Sequence, residues 1–217
     1  MKKIRKKKDV GIYGVAAKWY DRNTRKTRLA EMRGYADEIE SLAKPGASIL
    51  EVAPGPGYLA IELARRGFQV TAVELSPDFV CIARNNAKEA NVAVDFKEGN
   101  ASNLPCPDEA FDFIVCSAAF KNFKEPIKAL HEMYRVLKPG GMSLIIDMNR
   151  EATDEDINNQ LQGTKGFDKY FVKFSFKTFL KQAAYTKNEF EALVQETPFR
   201  DYTIKTEGIS IYVYLYK

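Results

Sequence analysis

The stretch Ile49-Leu50-Glu51-Val52-Ala53-Pro54-Gly55-Pro56-Gly57-Tyr58 reads as a short apolar strand running into a Gly/Pro turn and then a helix. Glycines in such a turn let a ligand approach the backbone where a Cβ would collide. Outward from it, short β-rich runs alternate with helical ones. The spacing predicts strands at 48–52, 69–74, 92–96, 111–117 and 142–148, with helices at 58–66, 78–89 and 126–137 between them. Alternation of this kind implies right-handed crossovers and a parallel sheet covered on both faces. The expected fold is α/β, a Rossmann-like doubly wound sheet, with ligands bound at the carboxyl ends of its strands near the switch in strand order.

Before this core, residues 9–44 carry helical spacing, with Leu29, Met32, Ala36, Ile39 and Leu42 on one stripe until Lys44, Pro45 and Gly46 stop it. After Arg150 come a polar helix-like stretch, an aromatic-rich helical segment at 167–183, and a helix at 187–195 that Thr186 and Glu189 would cap as a capping box. Two late β-rich runs, 202–206 and 210–216, are close enough to pair as a hairpin. The expected organisation is one domain over residues 9–217, with a helical cap at 9–44 and a helical lid at 150–200 between strands five and six.

The net charge of +4 hints at nucleic-acid binding until it is located. Lys2, Lys3, Arg5, Lys6, Lys7 and Lys8 lie in the first eight residues, leaving 27 basic against 29 acidic residues, a balance of −2. The body is not a basic protein, and residues 1–8 read as a solvated, disordered tail, with a contact for RNA, anionic lipid or an acidic partner as the alternative. No apolar run is long enough to span a bilayer and no signal-peptide core follows the basic start, so a cytoplasmic location is expected. Cys81, Cys106 and Cys116 form no metal-ligand spacing, and no metal is expected.

Gly55, Gly57 and Ala60 satisfy the dinucleotide-binding spacing GxGxxG/A, which leaves a nicotinamide- or flavin-dependent oxidoreductase open. Glu51, however, is an acid at the end of the opening strand. It would repel a pyrophosphate, whereas the cationic amino group and sulfonium of S-adenosylmethionine would be drawn to it. Glu74, closing the next strand, can accept both hydroxyls of a ribose in either cofactor class. Gly99-Asn100-Ala101 follows the third strand, where an adenine would rest. Asn100 could accept from its amine and the Ala101 N–H could reach a ring nitrogen.

Together these residues resemble the class I S-adenosylmethionine-dependent methyltransferases, in particular the small ubiquinone/menaquinone-biosynthesis type, over most of the chain. Ala17-Lys18-Trp19-Tyr20-Asp21 is similar to their N-terminal Tyr-Asp element, Glu51 to Gly57 to their glycine loop, and Val73-Glu74-Leu75-Ser76 to their ribose strand. Gly99-Asn100-Ala101 is similar to the adenine turn, Phe111 to Ser117 to the fourth strand, and Tyr134 to Gly141 to the helix and turn into strand five. The resemblance implies seven strands with the last antiparallel. It also implies a cofactor set of Tyr20, Glu51, Ala53, Gly55, Gly57, Glu74, Leu75, Ser76, Asn100, Ala101 and Ser117, with Tyr20 covering the methionine end and Ser117 beside it. Ala53 stands where the family usually has glycine and Asn100 where it usually has aspartate. The second change removes a charge-assisted hydrogen bond from the adenine contact.

Methyl transfer from a sulfonium is an in-line displacement in which positioning supplies much of the rate, so a general base is optional. Candidates at the acceptor side are Lys121 with Asn122 after the fourth strand, Asp147 at the end of the fifth, and Tyr185 at the start of the next helix. An Asp147–Arg150 ion pair that merely holds the loop is the favoured bland alternative for Asp147. His131, the only histidine, is expected to be structural. Phe167, Tyr170, Phe171, Phe174, Phe176 and Phe179 are expected to pack on the sheet for the most part, with some expected to line a lid over an apolar acceptor. A small organic acceptor is expected between the N-terminal helix and the segment from Asp147 to Tyr185. No nucleic-acid module is evident, and a non-catalytic protein of the same fold is the second competitor. Acceptor atom and oligomeric state, monomer or homodimer, do not follow from the sequence.

Overall fold

The computed structural model describes residues 11–160 and 183–217. The basic run at 1–8 and the aromatic segment at 167–179 therefore lie outside the described residues. Helix α1 (Gly14–Leu42) leads into β1 (Ser48–Val52), α2 (Tyr58–Arg65), β2 (Gln69–Glu74), α3 (Pro77–Glu89), β3 (Asp95–Glu98) and β4 (Phe111–Ser117). A 3-10 turn (Phe120–Asn122), α4 (Pro126–Val136), β5 (Leu137–Met148) and α5 (Asp154–Gln160) follow. The chain closes with α6 (Lys187–Gln195), β6 (Asp201–Glu207) and β7 (Ser210–Tyr216).

The seven strands form one sheet in the order β3-β2-β1-β4-β5-β7-β6. The first five are mutually parallel, and β7 runs antiparallel between β5 and β6. The order reverses between β1 and β4, which puts the switch point where the glycine turn leaves the sheet. This is the doubly wound fold that the alternation predicts. The helical N-terminal part is a single helix of 29 residues.

Both faces of the sheet are buried. Ile49, Phe113, Val115, Leu144 and Ile146 pack under α1, α2 and α3 together with Met32, Ala36 and Ile39, the stripe expected of the first helix. Leu50, Val52, Ile114, Cys116 and Ile145 face Leu130, Met133, Phe190 and Val194 of α4 and α6. Because side chains alternate along a strand, Glu51 and Ser117 fall on the α1 side while Asp147 falls on the α4–α6 side.

Two strands are placed differently from the sequence reading. The third strand lies at 95–98 rather than 92–96, because it is the register Thr71↔Asp95 to Glu74↔Glu98 that pairs with β2. The fifth strand begins at Leu137, paired with Phe111, and the register shifts before Met142 pairs with Phe113. The predicted capping box is present: Thr186 Oγ1 accepts from the Glu189 N–H and the Glu189 carboxylate from the Thr186 N–H. Among the described residues, no helix is long and apolar enough to cross a membrane.

Candidate active site at the strand ends

Glu74 and Ser117 close β2 and β4, and Glu51 and Asp147 are the penultimate residues of β1 and β5, so the topology gathers four sequence-predicted positions at the carboxyl ends of the strands. Glu51 is 1% exposed. One carboxylate oxygen, Oε2, has no hydrogen-bond partner. Burial pushes its pKa up to about 8, against a backbone hydrogen bond from Ala60 and the nearby positive charge of Arg28. Such a group is costly unless a cation or donor reaches it.

Glu74 is also buried, and each oxygen is used: Oε2 accepts from the Gly55 N–H and Oε1 from the Ser76 N–H, both at 2.9 Å. The acid ties the glycine turn to the end of β2. Burial raises its pKa, offset by the three N–H donors of Ser76, Gly55 and Leu75.

The turn itself holds three consecutive odd positions in the left-handed region: Ala53 at φ 59°, Gly55 at 55° and Gly57 at 80°. An alanine pays a steric penalty there that glycine does not. The two glycines differ in their surroundings. A Cβ on Gly57 would meet the Phe96 ring at 2.8 Å and Ala83 at 2.9 Å, whereas one on Gly55 would meet nothing within 4 Å. Gly57 is therefore a packing requirement, and Gly55 fronts open space. Ala118, directly after β4, is a further left-handed alanine, at φ 56°. Strain of this sort clusters at functional sites.

On the α1 side, Tyr20 stacks edge-on against Phe79 with ring centroids 5.7 Å apart, and Ser117 Oγ lies 4.0 Å from Met32 Sδ. Asn100 turns its Oδ1 onto its own loop, accepting from the Ser102 N–H at 2.9 Å and Ser102 Oγ at 2.8 Å. That is a local arrangement the sequence reading did not foresee. A clamp was missed as well. Tyr58 Oη donates to Asp21 Oδ1 at 2.5 Å, Asn86 Nδ2 donates to Asp21 Oδ1 at 3.2 Å and to the Pro56 carbonyl at 3.0 Å, and Arg25 donates to Asn86 and Asp21. These bonds fasten α1 and α3 to the glycine turn.

Lys121, Asp147 and Tyr185, three of the four acceptor-side candidates, meet on the other face. Lys121 Nζ donates to Asp147 Oδ1 at 2.9 Å and to the Ala118 carbonyl. Asp147 Oδ2 accepts from the Lys121 N–H, and Oδ1 also accepts from the Met148 N–H, both at 2.7 Å. Tyr185 packs against Phe120 and Phe190, and burial followed by the charge of Asp147 pushes its phenol upward. Its backbone joins the end of β5 through the Arg150 N–H. The expected Asp147–Arg150 pair is not formed. Asp147 takes Lys121, and Arg150 takes Glu189 on α6. His131 lies elsewhere, with Nε2 3.3 Å from the Glu196 carbonyl, consistent with a structural role. A shallow furrow of about 780 Å³ between α3 and β3 sits at the opposite, amino ends of the strands and involves none of these groups.

Residues 50–145, which span the glycine turn, β2, β4 and most of β5, match the family described as a methyltransferase domain. A demethylmenaquinone methyltransferase of Deinococcus radiodurans is 36% identical over 146 residues, 65% of this chain and 61% of the relative. A ubiquinone biosynthesis O-methyltransferase of Xanthomonas campestris is 34% identical over 110 residues, 50% of this chain and 46% of the relative. The matches thus span roughly half of each relative. In three dimensions the chain resembles a Methanococcus maripaludis protein assigned to the S-adenosyl-L-methionine-dependent methyltransferases. The TM-score is 0.77 at 22% identity, covering 99% of this chain and 97% of that one, a likeness of fold.

Proposed function

We propose that this chain is an S-adenosylmethionine-dependent methyltransferase acting on a small organic acceptor, in a cytoplasmic setting, with residues 9–217 as one catalytic domain. Glu51 Oε2 carries the reading: a buried carboxylate oxygen without a partner, at the switch point of the sheet, suits a cationic ligand. Gly55 supports it, since the space that its absent Cβ leaves open adjoins the same turn. Bound there, S-adenosylmethionine supplies an electrophilic methyl group on a positively charged sulfur.

In this reading Glu51 neutralises the methionine end, and Tyr20 and Ser117 flank it. Glu74 holds the ribose hydroxyls through lone pairs that the Gly55 and Ser76 N–H groups leave over, with Leu75 and Ser76 alongside. Ala53, Gly55 and Gly57 shape the turn. Ala101 offers its backbone to the adenine, and Asn100 serves first by bracing that loop through Ser102.

Acceptor chemistry falls to the ends of β4 and β5. Asp147, held by three donors, fixes the Lys121 ammonium, and Tyr185 supplies an aromatic wall with a hydroxyl. An apolar ring bearing oxygen substituents fits that mixture, and the quinone-related names of the relatives point the same way. Rate acceleration comes from alignment and exclusion of water rather than from a dedicated base.

Calorimetric titration with S-adenosylhomocysteine and with NADH, followed by transfer of labelled methyl to quinols and to a metabolite extract, tests this. Binding of the homocysteine derivative with transfer to a small apolar acceptor is expected. Binding of NADH alone would replace the reading with an oxidoreductase, and cofactor binding without any transfer would favour a non-catalytic protein.

A further inference from the structure

Helix α1 has an outer face that the methyltransferase reading does not use. Val15, Trp19, Arg22, Lys26 and Arg33 recur at spacings that keep one helical face. Val15 is 84% exposed and Trp19 63%, with Tyr13 51% exposed just before the helix. Between Gly14 and Gly34 the exposed charged side chains are Lys18, Arg22, Lys26 and Arg33, all basic. The acids of that span, Asp21 and Glu31, are partly buried and paired with Arg25 and Arg28. The acids that border this face are engaged as well: Asp78 accepts from the Gly14 N–H, Glu89 on α3 pairs with Arg25, and Asp37, one turn beyond Arg33, pairs with Arg66. In the sequence, six more basic residues precede the helix between positions 2 and 8.

We propose that this face of α1 seats the protein on the surface of an anionic lipid bilayer. Trp and aliphatic side chains at one end, followed by a stripe of Lys and Arg, match the interfacial layer, where indole rings settle at headgroup depth and ammonium and guanidinium groups meet phosphates. Exposed Val15 and Trp19 favour lipid over RNA, which would reward the cations but not the aliphatic group. The opposite face of the same helix presents Tyr20 and Met32 toward the strand ends. A protein seated this way would hold its acceptor entrance close to where apolar molecules partition.

Trp19 is the only tryptophan, so the full chain reports on its own docking. Its emission is recorded without cofactor against vesicles of phosphatidylcholine alone and of phosphatidylcholine mixed with phosphatidylglycerol, and bound protein is measured by co-sedimentation. Expected are a blue shift, quenching by brominated acyl chains, and binding confined to the anionic vesicles. The variant Arg22→Glu/Lys26→Glu, with an unchanged melting temperature, should bind at least about fivefold more weakly per residue altered. Any of four results would overturn the proposal: no shift with either vesicle, an undiminished affinity in the variant, a shift produced by poly(U) RNA but not by lipid, or a concentration-dependent shift without vesicles that reveals self-association. None of these outcomes depends on S-adenosylmethionine, so they leave the methyltransferase reading untouched.

Discussion

The Glu74 carboxylate, at the end of β2, accepts a hydrogen bond from the Gly55 N–H at 2.9 Å across 19 residues of sequence. With the Ser76 N–H on its other oxygen, it holds the glycine turn in position before any ligand arrives. Glu74→Ala leaves two N–H donors of a mostly buried turn without their acceptor, at about 1–3 kcal/mol each if water does not replace it. We expect a lower melting temperature by scanning calorimetry and a loss of S-adenosylhomocysteine affinity. Unchanged stability would mean the turn does not need its brace.

Glu51 gives the protein a pH signature. Its carboxyl is pushed from 4.5 up to about 8 by burial, so between those values the unfolded chain has released a proton that the folded chain keeps. Stability therefore falls as pH rises through that window and levels off above it. Glu74, shifted in the same direction for the same reason, adds to the slope. Glu51→Gln, which cannot ionise, should flatten it in urea titrations between pH 5 and pH 8.5. A cationic ligand would draw the proton off, so its affinity should grow with pH in the wild type and much less in the variant.

Lys121 and Asp147 form a pair in which both side chains are more than nine-tenths buried. Removing one partner strands the other, so Asp147→Ala should cost about 3–5 kcal/mol. Replacing both, as in Lys121→Met/Asp147→Leu, should restore most of that loss. If the pair only supports the fold, the double variant regains methyl transfer with its stability. If it orients the acceptor, stability returns while turnover stays low.

Ala53 occupies φ 59°, a conformation that an L side chain resists. Ala53→Gly should relieve that strain and raise stability by up to about 1 kcal/mol, read as an upward shift in urea midpoint. A fall would show that the methyl group packs usefully.

The order of strands and helices was legible because burial on two faces leaves an apolar signature in each strand and a stripe in each helix. The third strand misled for a physical reason. Val92 and Val94 look like strand residues but pack on the core as a loop, behind a left-handed Asn91, while the polar Asp95 and Lys97 make the ladder. Strand ends were legible too, and with them Glu51, Glu74, Ser117 and Asp147. Partner choice was not. Nothing local tells Asp147 to take Lys121, 26 residues away, over Arg150 three residues on, and the Asp21–Asn86 contact of the clamp spans 65 residues. The Asn100 turn was a nearer miss, since a serine two residues after an asparagine is a recognisable loop signal.

Gly55 and Gly57, two residues apart and both left-handed, should separate when each is made bulky. At Gly57 a Cβ would press on Phe96 and Ala83 at under 3 Å, inside the packing of α2 and α3 against the sheet. Gly57→Val should therefore unfold readily, with reduced yield and a large drop in melting temperature, whatever the ligand. At Gly55 the same added group meets only open space, so the cost to the fold is the backbone penalty of about 1–2 kcal/mol. If that space receives the cofactor, Gly55→Val should keep its circular dichroism spectrum and cooperative melt yet lose calorimetric binding of S-adenosylhomocysteine. Retained affinity in a folded Gly55→Val protein would put the ligand somewhere other than this turn.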